Sequence, residues 1–223
     1  MEDETLFNID RQRMVDEQLK TRDIRDRRVL DAMGIVPRHL FIPPAHRHLA
    51  YADGPLPIGR GQTISQPYIV ALMTQLLRLQ GEETVLEIGT GSGYQAAVLA
   101  HLAREVHTIE RHKELVENAR NALMKLELSN MTVHIGDGTL GLPAFAPFDA
   151  ILVTAAAPKI PQPLLAQLAD GGRVVLPVGG RIGQYLECWQ RRGSEYDRDV
   201  LVPVAFVPLR GEHGWGESEW DQF

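Results

Sequence analysis

Short apolar runs alternate with helical patterns from Thr84 onward. The runs are rich in β-branched residues and show no apolar–polar alternation, as expected for strands covered by helices on both faces. Repeated strand–helix units predict a doubly wound, mostly parallel α/β sheet. The predicted strands are Val85–Ile88, Val106–Ile109, Thr132–Ile135, Ala150–Val153, Arg173–Leu176, Tyr185–Arg191 and Val202–Val207. The predicted helices between them are Tyr94–Ala103, His112–Glu127 and Pro163–Ala169.

The last two of these seven strands are joined by polar, turn-rich sequence, GSEYDRD. A connection this short cannot cross over to a parallel neighbour, so it predicts an antiparallel hairpin that closes the sheet. The fold class expected from the pattern is therefore a Rossmann-like, seven-stranded sheet with an antiparallel C-terminal hairpin.

The chain before residue 80 has a different pattern of hydrophobic and polar residues. Met14, Val15 and Leu19 have helical spacing behind a possible Asp10 cap, and a second helix is predicted from Asp26 to Met33. A third helix begins at Pro67 and carries a core-facing stripe at Ile69, Leu72, Met73, Leu76 and Leu77. We expect residues 1–80 to cover a core formed by residues 81–210, with 211–223 as a tail.

Pro37–Gln66 is the least regular part of the sequence and is rich in proline and glycine. A long loop in a compact domain is usually functional or disordered. Its apolar content, including Phe41, Ile58 and Ile64, argues against disorder. The pattern therefore predicts an irregular, functional covering segment.

Composition narrows the classes of function. The chain has 223 residues and a formal net charge of −6, which does not favour nucleic acid as a partner. A single cysteine, Cys188, is compatible with a reducing compartment, and no stretch approaches about 18 consecutive apolar residues. We expect a cytoplasmic, monomeric protein that binds neither a membrane nor nucleic acid.

A glycine loop follows the first predicted strand of the core. Gly89, Gly91 and Gly93 are spaced G-x-G-x-G, whereas the dinucleotide fingerprint needs its third glycine where Tyr94 stands. An acid, Glu87, precedes the loop. The pattern E-x-G-x-G-x-G resembles the S-adenosylmethionine-binding loop of class I methyltransferases. That ligand carries an amino-acid zwitterion and a sulfonium instead of a pyrophosphate, so a nearby carboxylate is tolerable.

Two further acids end neighbouring strands. Glu110 lies 21 residues after Gly89, where it could accept hydrogen bonds from ribose hydroxyls, and Asp137 in GDG could accept from an adenine amino group. Taken singly, Glu110 could be a helix cap and Asp137-Gly138 a turn. Together with the loop they predict a ligand site at the carboxyl ends of the strands.

Most signatures of particular methyl acceptors are missing. After the fourth core strand, Thr154 to Ala157 replace the [DN]-P-P-[YF] motif that accompanies methylation of base amino groups. Cys188 lies inside a predicted strand and is better interpreted as a core residue than as a nucleophile. His46 and His48 have no flanking acid or cysteine and are interpreted as loop surface, so no metal is expected.

The lack of an obvious general base fits a carboxylate acceptor. A carboxylate has a reference pKa of about 4 and is already ionised at neutral pH, so methyl transfer to it needs positioning and desolvation. Ser65 is the candidate neutral hydrogen-bond donor. The alternative for Ser65 is a helix cap before Pro67.

Six segments make the resemblance specific: VPRHLFIP (36–43), YADGPLPIGRGQTISQPYIVALM (51–73), VLEIGTGSGYQAA (85–97), LVTAAAPKIP (152–161), LPVG (176–179) and FVPL (206–209). Together they resemble the protein-L-isoaspartate O-methyltransferase family, from about Val15 to Arg210. The resemblance implies methyl esterification of the free carboxyl of L-isoaspartyl residues in proteins and peptides, which initiates repair through a succinimide.

The resemblance also implies roles for individual residues. It places Ser65 against the substrate carboxylate, as the catalytic residue, and Val207 against the peptide backbone. The cofactor is S-adenosyl-L-methionine and its product S-adenosyl-L-homocysteine. The predicted cofactor-binding residues are Ile58, Gly59, Gln62, Glu87, Gly89, Gly91, Gly93, Glu110, Asp137 and Gly138.

Two other hypotheses stay open on the sequence alone. One is a methyltransferase for a small-molecule carboxylate or hydroxyl. The other is a non-enzymatic S-adenosylmethionine-binding module, which would keep the glycine loop but lose the TISQP segment that is present here.

Overall fold

A computed structural model describes residues 4–220. The part before the core contains three α-helices and one hairpin. The helices are α1 (Glu4–Arg13), α2 (Arg27–Ile35) and α3 (Pro67–Leu77), and the hairpin strands are β1 (Leu56–Gly59) and β2 (Gln62–Ile64). A π-helical stretch, Met14–Leu19, continues α1, and two 3₁₀ turns, Arg38–Phe41 and Pro44–Leu49, follow α2.

The core alternates strands with helices along the chain. Its strands are β3 (Thr84–Ile88), β4 (Glu105–Glu110), β5 (Met131–Ile135), β6 (Phe148–Val153), β7 (Leu168–Gly179), β8 (Gln184–Arg192) and β9 (Glu195–Val204). Its helices are α4 (Tyr94–Ala100), α5 (Lys113–Leu123) and α6 (Gln162–Ala166).

These seven strands form one sheet in the order β5-β4-β3-β6-β7-β8-β9. The first five in this order are parallel, whereas β8 and β9 are antiparallel to their neighbours. This confirms the predicted doubly wound sheet with an antiparallel C-terminal hairpin.

The core lies on both faces of the sheet. Every residue of β3 is buried, and successive residues serve opposite faces. Val85 packs into a cluster shared with α2, α3, α4 and α5, whereas Leu86 and Ile88 pack into a cluster shared with α6. Burial on both faces explains why this strand shows no apolar–polar alternation.

The predicted start of the first helix is wrong. Asp10 lies inside α1, which begins at Glu4 and has no buried residue, so it caps nothing. Met14, Val15 and Leu19, whose apolar spacing predicted this helix, are buried in the π-helical stretch that follows α1. Phe7 stacks on the ring of His39 at 4.1 Å between centroids, a tertiary contact that the pattern could not show.

The predicted irregular segment 37–66 contains regular structure. β1 and β2 pair antiparallel, with a turn in which Arg60 and Gly61 have positive φ angles of 54° and 69°. Leu56 and Ile58 are buried while Pro57 between them is exposed, which is the alternation of a strand. Pro57 obscured this signal because proline disfavours strand assignment.

Several predicted bounds also shift. β9 begins at Glu195, so most of the GSEYDRD sequence forms strand and the reversal involves Gly193 and Ser194. β9 is an edge strand, where charged residues such as Asp197 prevent pairing with other chains. The structure shortens the predicted helix Pro163–Ala169 to α6 and extends the strand after it.

Gln167, between α6 and β7, holds the loop that follows β5. Its Oε1 accepts from Leu142 N at 2.7 Å, and its Nε2 donates to Leu140 O at 2.8 Å. The side chain is buried, and it leaves no room for a Cβ at Gly141. The loop beside Gly138 therefore depends on one amide side chain.

We predict that Gln167→Ala lowers the free energy of unfolding by about 1 kcal/mol, because it leaves two partly buried backbone groups unpaired. Urea denaturation measures this loss. Gln12→Ala is the matched control, since within residues 4–220 the Gln12 side chain bonds only to Asp16 at the surface. Equal stability of the two variants would contradict the assignment.

Candidate active site

Polar residues gather where the central parallel strands end. The strand order reverses between β3 and β6, because the chain leaves β3 toward β4 and leaves β6 toward β7. Ligands of doubly wound sheets bind at such a switch point, at the carboxyl ends of the strands. Glu87, Glu110, Asp137 and Thr154 all lie at or just after these ends.

The glycine loop requires its first glycine. Gly89 has a φ of +95°, and a Cβ built there would lie 2.4 Å from Thr154 Oγ1. Thr154 Oγ1 lies 2.7 Å from Gly89 O and 3.0 Å from Ile88 O, within hydrogen-bond distance of both carbonyls. A side chain at position 89 would therefore push β3 and β6 apart at this end.

Glu87 is completely buried beside the loop. Thr108 Oγ1 donates to Glu87 Oε2, and Thr108 in turn bonds to Thr90 at 2.6 Å between hydroxyl oxygens. Glu87 Oε1 has no hydrogen-bond partner within residues 4–220. Burial raises the pKa of Glu87 to about 8, and Glu110 adds to the increase against the opposing Thr108 bond. An unpartnered carboxylate oxygen here is suited to receive a cationic ligand group.

Glu110 is fixed by backbone groups at the end of β4. Its Oε2 accepts from Gly91 N at 3.1 Å, and its Oε1 accepts from His112 N at 2.9 Å. The carboxylate therefore connects the glycine loop to the start of α5 and has lone pairs left for a ligand.

Three cavities meet at this edge. The central cavity, of about 60 Å³, includes Glu87, Gly89 and Gly91. The inner cavity, of about 50 Å³, includes Glu110 and Gly138. The outer groove, of about 430 Å³, is lined by Pro55, Thr63, Ser65, Gln66, Ile69, Thr154 and the segment 203–207.

Shared lining residues connect the cavities. The central and inner cavities share Gln62, Gly89, Glu110 and Ala155. The central cavity and the outer groove share Thr63, Ser65, Thr154 and Val207. The cleft therefore runs from Gly138 past the glycine loop to the outer groove, and Ser65 and Val207 lie at its last junction.

Ser65 lies between β2 and α3 and is half-buried. The N-cap of α3 is Gln66, and no side chain caps this helix. The Ser65 hydroxyl has no hydrogen-bond partner among the described residues. The helix-cap alternative is thus not supported, and the hydroxyl is available to a ligand at the junction.

Four of the predicted cofactor residues lie away from the cavity walls just described. Ile58 packs on the far side of the glycine loop in a separate apolar cavity, with its Cδ1 3.5 Å from a Cβ built at Gly91. Gly59 and Gly93 flank the site, at the end of β1 and before α4. Asp137 lies beside the inner cavity and bonds to backbone groups. Their contacts with a cofactor stay predictions.

Sequence reasoning missed the role of Thr154. It follows an apolar strand at the carboxyl edge, which is a usable signal for a site residue. The FVPL motif indicates a role for Val207, but no sequence signal shows that Pro208, Leu209 and Arg210 line the inner cavity.

Cys188 is buried in β8, as predicted for a core residue. No cluster of three or more histidine, cysteine or carboxylate residues within 4–220 could hold a metal ion. None of the helices described is long and apolar enough to cross a membrane.

The doubly wound sheet, the glycine loop and the acids beside it define a class I S-adenosylmethionine-dependent methyltransferase. Residues 9–214 match the family model described as protein-L-isoaspartate(D-aspartate) O-methyltransferase (PCMT). The chain belongs to this family, which confirms the resemblance found in the sequence.

Individual relatives agree over nearly the whole chain. A protein-L-isoaspartate O-methyltransferase of Methanoregula boonei is 59% identical, covering 92% of this chain and 95% of the relative. A protein-L-isoaspartate O-methyltransferase 1 of Syntrophobacter fumaroxidans is 58% identical, covering 94% and 98%. A structure from Plasmodium falciparum, described as a protein-L-isoaspartate O-methyltransferase in complex with S-adenosyl-L-homocysteine, matches with a TM-score of 0.79 at 26% identity, covering 90% and 98%.

Glu87 gives a pH-dependent prediction. The folded, unliganded protein holds a proton on this carboxyl up to about pH 8, whereas the unfolded chain releases it near its ordinary pKa of 4.5. The contribution of Glu87 to the free energy of unfolding therefore falls as the pH rises between these values. We expect wild type to lose stability relative to Glu87→Gln from about pH 5 to about pH 8, by more than about 1 kcal/mol.

Urea denaturation at several pH values measures this difference. Glu117→Gln, at an exposed glutamate in α5, is the control and should give a flat difference from wild type. A flat difference for Glu87→Gln would show that its carboxyl is already ionised in the empty site.

Proposed function

We propose that this chain transfers the methyl group of S-adenosyl-L-methionine to the free carboxyl of L-isoaspartyl residues in proteins and peptides. The observation that carries the proposal is the junction at Ser65. A hydroxyl without a protein partner lies where the cavity beside the glycine loop opens into a large groove. Family membership over residues 9–214 supports the same reaction.

The residues of the cleft fit S-adenosylmethionine. Glu87 Oε1 is buried and unpartnered among the described residues, so it can receive the α-ammonium group. Glu110 has carboxylate lone pairs for the ribose hydroxyls, and Gly138 lines the inner cavity where the adenine would lie. Gln62 and Gly89 line both cavities and would contact the middle of the ligand. When bound, the cofactor supplies a sulfonium-activated methyl group.

The chain's own contribution to chemistry is positioning. An isoaspartyl carboxylate is ionised at neutral pH, so no base is needed to make it a nucleophile. Ser65 donates a neutral hydrogen bond that orients the carboxylate without neutralising its charge. A lysine or arginine in this place would lower the nucleophilicity of the attacking oxygen. The burial of the site also removes water that would otherwise solvate the carboxylate.

The outer groove suits a peptide that is recognised through its backbone. Val207 O accepts from Ala156 N at 2.8 Å, and the Gln184 side chain bonds both Phe206 N and Phe206 O. These groups are occupied, whereas Val207 N has no partner within 4–220. We infer that Val207 offers its N–H to the substrate, in a groove whose walls are largely main chain and small or apolar side chains.

The product explains a repair role. A methyl ester can expel its methoxy group, whereas a carboxylate has no comparable leaving group. The following backbone nitrogen therefore attacks the ester carbonyl and its proton leaves with the methoxy group as methanol. The succinimide formed in this step opens by hydrolysis, in part to a normal aspartyl residue. The enzyme therefore needs only to esterify the carboxyl, and the later steps proceed without it.

We also propose that the enzyme is a cytoplasmic monomer that needs no metal, nucleic acid or membrane. The net charge of −6 supports the lack of a nucleic-acid partner, and the single buried cysteine supports a reducing compartment. Since an acidic chain does not attract an acidic substrate group, local donors such as Ser65 must bind the carboxylate.

We predict that the protein transfers label from S-adenosylmethionine to an isoaspartyl peptide and not to the aspartyl peptide of the same sequence. The isoaspartyl carboxyl is at the end of a shorter side chain on a lengthened backbone, so only one isomer fits both the groove and the Ser65 donor. Equal labelling of both peptides would exclude the proposed substrate. Labelling of a small carboxylic acid alone would favour the small-molecule alternative.

We predict that Ser65→Ala lowers turnover of the isoaspartyl peptide by about 10- to 100-fold, through loss of the positioning donor. The dissociation constant of S-adenosyl-L-homocysteine should change little, because Ser65 lies at the substrate end of the cleft. Ser65→Thr should restore part of the activity, and Ser129→Ala, at an exposed loop serine, is the control. Wild-type turnover of Ser65→Ala would show that the hydroxyl does not position the carboxylate.

A further inference from the structure

Gln95 is a buried polar residue in an otherwise largely apolar helix. It is the second residue of α4, whose other members are Tyr94, three alanines, Val98 and Leu99. It is 8% exposed and lines the central cavity, but it lines neither the inner cavity nor the outer groove. Its contribution to the cleft is therefore confined to the space beside the glycine loop.

Thr74, on the neighbouring helix α3, determines the orientation of the Gln95 amide. Thr74 Oγ1 lies 2.7 Å from Val70 O in the same helix and 2.9 Å from Gln95 Nε2. A hydroxyl has one proton and a backbone carbonyl can only accept, so Thr74 donates to Val70 O and accepts from Gln95. This arrangement turns Gln95 Nε2 toward Thr74 and Gln95 Oε1 away from it.

The amide oxygen of Gln95 is left without a partner. Gln95 Oε1 bonds to no group within residues 4–220, whereas Gln95 Nε2 is engaged by Thr74. The polar atom that Gln95 can offer to the central cavity is therefore an acceptor. Glu87 lines the same cavity, and its Oε1 is buried and also unpartnered among the described residues. A negatively charged group and a neutral acceptor thus border one small space.

Two acceptors in one cavity suit a ligand group that carries several donors. An ammonium group has three N–H donors and no acceptor, so a bond to Glu87 leaves two donors for other partners. The neutral amide of Gln95 adds an acceptor without adding a second negative charge that would have to be desolvated. The ribose and adenine of the cofactor fit the inner cavity, which Gln95 does not line. The arrangement therefore favours the α-ammonium group of the amino-acid part.

We propose that Gln95 is a cofactor-binding residue whose Oε1 accepts a hydrogen bond from the α-ammonium group of S-adenosylmethionine, and that Thr74 is the positioning residue that orients it. The proposal rests on the proposed function only for the identity of the cofactor. Neither residue belongs to the predicted site, because Gln95 lies in an apolar helical pattern and Thr74 lies 21 residues earlier in the chain.

Calorimetric binding of cofactor analogues to the full-length protein tests this contact. The probes are S-adenosyl-L-homocysteine, its analogue without the α-amino group and its analogue without the α-carboxyl group, and none of them needs a peptide substrate. Gln95→Leu removes the amide and keeps a similar volume. Gln12→Leu, at an exposed glutamine of α1, is the matched control and should bind all three probes as wild type does.

We expect Gln95→Leu to raise the dissociation constant of S-adenosyl-L-homocysteine about tenfold, as is typical for the loss of one hydrogen bond to a charged group. The analogue without the amino group should bind Gln95→Leu and wild type equally, because it cannot make the bond in either protein. The analogue without the carboxyl group should keep the tenfold difference. The turnover number at saturating cofactor should change less than the KM for S-adenosylmethionine.

Two substitutions test the positioning role of Thr74. Thr74→Val keeps the shape of the side chain and removes the hydroxyl that accepts from Gln95. We expect it to weaken binding of S-adenosyl-L-homocysteine, by less than Gln95→Leu does, and to leave binding of the amino-free analogue unchanged. Thr74→Ser keeps the hydroxyl and should bind all three probes as wild type does. Equal affinity of Thr74→Val and Thr74→Ser for S-adenosyl-L-homocysteine would contradict the positioning role.

Three results with Gln95→Leu would overturn the proposal. The first is wild-type affinity for S-adenosyl-L-homocysteine. The second is an equal loss of affinity for all three probes, which would show that Gln95 only supports the fold. The third is a difference that disappears with the carboxyl-free analogue instead of the amino-free one, which would place the amide nitrogen against the carboxylate.

The outcome does not depend on one variant or on the methyl acceptor. If Gln95→Leu does not fold, Gln95→Met takes its place with the same expectations for the three probes. A protein that binds the probes as expected but methylates no isoaspartyl peptide would reject the proposed function and leave this inference intact.

Discussion

The site depends on the close approach of two strand ends. Thr154, after β6, lies against the backbone of Gly89, after β3, in a space that admits no side chain. This contact fixes the glycine loop at the switch point of the sheet, so that Glu87, Glu110 and the loop face one cleft. Because parallel strands end at the same edge, a single sheet brings these acids to one cleft.

Charged and neutral polar groups lie at opposite ends of the cleft. In the proposed function the carboxylates at the cofactor end would face a cationic ligand, because only such a group compensates the cost of ionising the buried Glu87. At the substrate end, Ser65 would offer a neutral hydroxyl to an anion, in a protein whose net charge is −6. The opposite polarity of the two ends suits transfer of a methyl group from a sulfonium to a carboxylate.

Two covering elements complete the cleft from distant parts of the chain. The hairpin β1–β2 and the residue after it bring Gln62, Thr63 and Ser65 to the central cavity, and the segment after β9 brings Pro208–Arg210 to the inner cavity. Neither element is part of the parallel sheet, whose own residues form only one side of the site. Their placement turns an open edge of the sheet into a cleft with walls on more than one side.

The sequence by itself determined the doubly wound sheet, the glycine loop and the acids at strand ends, whereas its role for Ser65 stays a prediction. These features depend on local periodicity, on the spacing of glycines and on short contiguous motifs, all of which are visible in the sequence. The tertiary structure decided the features that depend on long-range contacts. These are the start of α1, the β1–β2 hairpin, whose strand signal Pro57 obscures, and the contact of Thr154 with Gly89. It also decided that Asp137 bonds to Glu212, 75 residues away, because no local pattern encodes where the chain returns after its last strand.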